Sequence, residues 1–153
     1  MPASVNIVGT NPVQVKVTQT DIPAVKVGVA KQGPPGPPGD ILSIVAGEFL
    51  GGHRVIASAG AEGIHADQTN SSAQRVVGLS TGSAAPGTLC LLKWTGLLVY
   101  PAGELIVNAP IFLGETGLIT QVPPTTGWLR QVGIASDSST ISIDIGPAYW
   151  LGA

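Results

Sequence analysis

The side chains able to do chemistry are few, and their spacing serves it poorly. His53 and His65 are the only histidines, with Glu62 and Asp67 near them in sequence. His65-x-Asp67 offers two metal donors, but zinc needs three or four convergent ligands and no further ligand spacing accompanies the pair. Two surface-loop histidines are therefore expected. No Gly-x-Ser-x-Gly, Walker A, Cys-x-x-Cys or His-Glu-x-x-His pattern occurs. Gly78-Leu79-Ser80-Thr81-Gly82 has the glycines of a phosphate loop without its lysine or a following helix, which predicts a turn. Paired carboxylates would have to come from Glu48, Glu62, Glu104, Glu115, Asp137 and Asp144, which are scattered. Asp144 faces outward in the alternation Ile141-Ser142-Ile143-Asp144-Ile145. The sequence predicts no enzyme, no cofactor and no metal site.

Cys90 stands alone, so no internal disulfide forms, and its setting in Leu89-Cys90-Leu91-Leu92 predicts an inert buried thiol. Trp94, Trp128 and Trp150 offer rings that could stack on sugars. A tryptophan beside a strand more often belongs to the core or to a subunit contact. Pro147-Ala148-Tyr149-Trp150-Leu151 is expected to be tied into the fold or buried between subunits.

The elements that would position a surface are set by Gly33-Pro34-Pro35-Gly36-Pro37-Pro38-Gly39. Proline fixes φ near the polyproline II value, and glycine at every third place is what three such chains need to meet on one axis. Gly33, Gly36 and Gly39 thus read as a trimer clasp or, alternatively, as a stiff single-chain linker of about 3.1 Å per residue. Two or three triplets are too short to hold a triple helix unaided, so flanking regions must drive any trimer.

Composition favours covered β-structure. Of 153 residues, 10% are charged and 44% hydrophobic, with 21 glycines and 13 prolines. A typical globular domain has roughly 25% charged residues, and disordered chains are charged and poor in aliphatics. A chain this sparsely charged is expected to be covered by copies of itself or by partners. A net charge of −2 gives nothing to grip a phosphate backbone, so no nucleic acid is expected. The apolar runs are too short to span a bilayer, and Met1-Pro2-Ala3-Ser4 begins no export signal. Synthesis in a cytoplasm without membrane attachment is the expectation.

Residues 1–32 form an N-terminal arm in this reading. Val13, Val15 and Val17 alternate with polar residues, as do Val25, Val27 and Val29, which predicts strands with one apolar face that something else must cover. Such strands suit docking by edge addition. Residues 33–41 are the connector and 42–153 a C-terminal β domain. Strands are expected near Leu42–Ala46, Arg54–Ala57, Arg75–Leu79, Thr88–Lys93, Gly96–Tyr100, Leu105–Val107, Pro110–Gly114, Gly117–Thr120, Leu129–Ala135 and Ser139–Ile145. Residues 66–73 are expected as a polar loop. Short strands about ten residues apart between glycines and prolines indicate a sandwich or barrel.

Pro110-Ile111-Phe112-Leu113-Gly114-Glu115-Thr116-Gly117-Leu118-Ile119-Thr120, then Gly127-Trp128-Leu129-Arg130-Gln131-Val132-Gly133-Ile134-Ala135, resembles the β domains of tailed-phage virion proteins. With Arg75-Val76-Val77-Gly78-Leu79-Ser80, the stretch is most similar to capsid decoration proteins of the cement or head-fibre kind. The Gly-Pro-Pro triplets after an N-terminal segment are likewise similar to phage fibres and head spikes. The resemblance covers roughly Arg54 to Ile145. It implies an all-β homotrimeric structural protein on the capsid surface of the virion, with the arm anchored on the major capsid protein of the phage head. The alternative is a receptor-binding tail fibre or spike tip that recognises a host-surface glycan or protein.

Overall fold

The structure, a computed structural model, describes residues 39–153. Five short strands come first: β1 (Ile41–Ala46), β2 (Val55–Ala59), β3 (Glu62–His65), β4 (Val76–Ser80) and β5 (Leu89–Lys93). They close a barrel in the order β1-β3-β2-β4-β5, with β5 returning to β1. The β1–β3 pair is parallel and the others are antiparallel. The second group is β6 (Thr95–Val99), β7 (Pro110–Leu113), β8 (Ile119–Thr120), β9 (Trp128–Asp137) and β10 (Thr140–Asp144), ordered β6-β10-β9-β7-β8. A last strand, β11 (Ala148–Trp150), pairs with the first residues of β9. The expected sandwich or barrel is thus a small closed barrel with a sheet packed on its flank.

Strand β2 joins the two halves. Val55, Ile56 and Ala57 are all fully buried, which requires cover on both faces. Ile56 points into the barrel with Ala46, Leu50, Cys90 and Leu92. Val55 and Ala57 point the other way, into a larger cluster with Ile111, Leu113, Val132, Ile141 and Ile143 of the second sheet. The sheets also approach within themselves as side chains allow: a Cβ at Gly133 would lie 2.5 Å from the Ser142 carbonyl oxygen, so only glycine lets β10 pair here.

Three segments differ from the sequence reading. Strand β3 was not expected, because Glu62-Gly63-Ile64-His65 is polar at both ends. It forms through a tight hairpin in which Ala59 pairs with Glu62 and Gly60 takes a φ of 68°. The loop expected over residues 66–73 runs into a 3-10 turn at Ser71–Arg75, begun by the Asn70 side chain accepting from the Ser72 amide at 2.8 Å. The strand expected at Leu105–Val107 is absent. Positive φ at Glu104 (70°) and Asn108 (63°) turns the chain on either side. The Gln121 side-chain amide takes both the Ile106 N–H and its carbonyl, at 2.8 and 3.0 Å, in place of a neighbouring strand.

Candidate interaction surface

Of the polar residues singled out for chemistry, Glu48, His65 and Asp67 hold loops. The Gly51 amide donates to His65 Nε2 at 3.2 Å, so that nitrogen is the acceptor and Nδ1 carries the proton. His65 Nδ1 then donates to Glu48 Oε1 at 2.9 Å, and the same oxygen accepts from the His65 amide at 2.8 Å. His53 serves elsewhere, its ring meeting Tyr100 edge-on with centroids 6.2 Å apart. Asp67 Oδ1 accepts from the Thr69 amide and hydroxyl, and Oδ2 accepts from the Thr116 amide at 2.9 Å. Partial burial pushes the Asp67 carboxyl up, but these bonds outweigh it and leave the group below its ordinary value. Thr116 is held in the left-handed region at φ 48°, so Asp67 pins a strained turn between β7 and β8. Among the described residues, no three His, Cys, Asp or Glu side chains are grouped to hold a metal ion.

The thiol and the C-terminal stretch are equally structural. Cys90 lies buried in the barrel interior, and burial pushes its thiol up. Ser80, fully buried, accepts from the Arg54 amide at 3.0 Å and donates to the Gly51 carbonyl at 2.6 Å. The strand expected at Arg75–Leu79 is β4 and runs on to Ser80, so the turn expected over Gly78–Gly82 is left only at Thr81-Gly82: Leu79 and Ser80 pair with Lys93 and Leu92 of β5. The C-terminal stretch is tied in by β11, whose Trp150 ring lies 5.2 Å from that of Trp128. Beside it is an open cleft lined by Phe112, Gln131, Asp144, Pro147 and Tyr149.

The described domain exposes many large apolar side chains. On the outer face of the β1–β5 pair, Leu91 sits opposite Ser43 and Leu89 opposite Val45. Leu89 is 67% exposed, Leu91 52% and Val45 38%, while the alternating residues Cys90 and Leu92 are buried. The outer face of the second sheet adds Leu97, Val99 and Ile134. Isolated exposed leucines are ordinary, but adjacent ones on paired strands form the kind of patch that marks a binding surface.

The clasp and arm residues are reached only at their edge. Val13, Val15, Val17, Val25, Val27, Val29, Gly33 and Gly36 lie outside the described residues. Gly39 is described, and its carbonyl accepts from Trp94 Nε1 at 3.1 Å. The Trp94 amide donates to the Asp40 carbonyl at 3.3 Å, and Lys93 Nζ sits 2.9 Å from Asp40 Oδ2. Lys93 also donates to the Leu97 carbonyl at 2.7 Å, and its hydrogen bond holds the Asp40 carboxyl below its ordinary value. Ile41, the last residue of the third triplet, is already the first of β1. The start of the domain is thus fixed to the end of β5, a link between residues 55 apart that no local pattern in the sequence signals.

No protein-family model, curated protein or solved structure matches this chain.

Proposed function

We propose that this chain is a homotrimeric structural protein of a tailed-phage virion, a decoration protein that binds and stabilises the head surface and catalyses no reaction. In this reading the arm, residues 1–32, docks on the major capsid protein. The Gly-Pro-Pro connector gathers three chains, and the β domain projects outward. Cementing needs no reacting groups: a trimer that bridges capsid subunits binds only the assembled shell and so adds its binding free energy to that state. The observation that carries the reading is the apolar outer surface of a domain in a chain with only 10% charged residues, which water alone covers poorly. The engagement of His65, Glu48 and Asp67 in loop contacts favours a structural role over catalysis.

A second reading has its own observation. Tyr149 beside Asp144 and Gln131 in an open cleft is the combination of ring face and polar groups that holds a sugar, which favours a receptor-binding fibre or spike tip. One experiment separates the two. Purified protein is mixed with capsids lacking it and, in parallel, with host cells. Saturable binding to capsids that raises their disruption temperature supports decoration. Binding to cells alone overturns it in favour of the tip.

A further inference from the structure

We infer that the outer face of the β1–β5 pair is the surface through which three copies of this chain meet. This rests on the trimer reading and adds which side of the domain faces the axis. The triplets Gly33 to Gly39 require two other chains if they are wound together, and the last of them ends at the first residue of the domain. That end is held rigidly: Trp94 bonds to Gly39 and Asp40, and Lys93 pairs with Asp40. Strand β1 therefore begins at the axis in each copy.

Three barrels cannot share the axis, so each must lie to one side with the strand that starts there nearest to it. The barrel interior is filled by Ile44, Ala46, Cys90 and Leu92, which face away from the outer surface. Side chains alternate along a strand, so the residues turned to the axis are Ser43 and Val45 of β1 with Leu89 and Leu91 of β5. Three of these four, Val45, Leu89 and Leu91, are exposed apolar side chains. Val45 lies four residues beyond Ile41, so the stripe continues the connector for roughly 13 Å. Burying it three-fold would supply the assembly energy that three short triplets lack. Gly39 agrees with this placement. A Cβ added there meets nothing within 4 Å of its own chain, so no contact inside the described chain excludes a side chain at this position.

The test uses full-length protein and sedimentation equilibrium over a concentration series. Leu91→Lys places three ammonium groups at the proposed axis and is expected to raise the half-assembly concentration by at least about tenfold, with the circular dichroism spectrum unchanged. Leu91→Ser removes the apolar group without adding charge and should weaken assembly in the same direction, which keeps the test open if the lysine variant misfolds. Val99→Lys, on the outer face of the second sheet, should leave the trimer intact. A wild-type trimer that Leu91→Lys leaves unchanged overturns this placement, and dissociation by Val99→Lys alone would move the interface to the second sheet. A trimer that keeps its mass while Leu91→Lys melts earlier would show that residues 1–38 of the same chain cover the stripe, which also overturns it. A wild-type monomer would instead overturn the trimer reading itself.

Discussion

An alanine at Gly39 would meet no atom of its own described chain within 4 Å, and Gly39 does not take a positive φ. Gly39→Ala is therefore expected to leave an isolated domain unchanged. Where three polyproline II strands meet, by contrast, the position nearest the axis has no room for a methyl group. Thermal melting of the assembled full-length protein should then fall by at least roughly 2–4 °C, the equivalent of about 1 kcal/mol at this length. An unchanged melt would return the connector to the role of a linker. Asp67 makes a different residue-scale prediction. Its hydrogen bonds hold the carboxyl below 3.8, so the stability they contribute is present above that pH and lost as pH falls through the lower folded value. Asp67→Asn places an N–H group against the Thr116 amide and should cost about 1 kcal/mol near neutrality, after allowance for solvent screening. The difference in melting temperature from wild type should narrow as pH is lowered below about 4. A gap of constant size down to acid pH would show that the charge on Asp67 is irrelevant.

At the scale of elements, β9 is the strand on which the second sheet depends, since β7, β10 and β11 all pair with it. Gly133→Ala forces a methyl group against the Ser142 carbonyl and should lower stability by about 1–3 kcal/mol, measurable by urea denaturation. A neutral result would mean that β10 shifts freely. The strands legible in the sequence were those whose own residues carry the pattern: Val55-Ile56-Ala57 as a short apolar run, and Ile141–Asp144 as an alternation. Strand β3 depends on a turn at Gly60, and the Leu105–Val107 segment on a glutamine from a distant loop, so neither could be read locally. The outer stripe was half legible. Leu89-Cys90-Leu91-Leu92 signals a strand apolar on both sides, but which side is exposed follows only from barrel closure. The use of Glu48, His65 and Asp67 in pinning loops joins residues far apart in sequence and needed the fold.

At the scale of the whole molecule, residues 36–153 form a compact unit of their own. Deleting residues 1–30 should leave that unit with a cooperative melt while abolishing capsid binding, if the arm is the anchor. Normal decoration by the truncated protein would show that the β domain itself binds the shell. The low charge of the chain bears on the same point, because an unassembled domain with Leu89, Leu91, Leu97 and Val99 exposed would be prone to associate. Assembly is thus the claim from which the rest of the account follows. It is tested most directly by sedimentation equilibrium of the full-length protein at micromolar concentration. The account predicts a single species of three times the 15.4 kDa chain mass, unchanged on dilution. A stable species of one or two chains would contradict it.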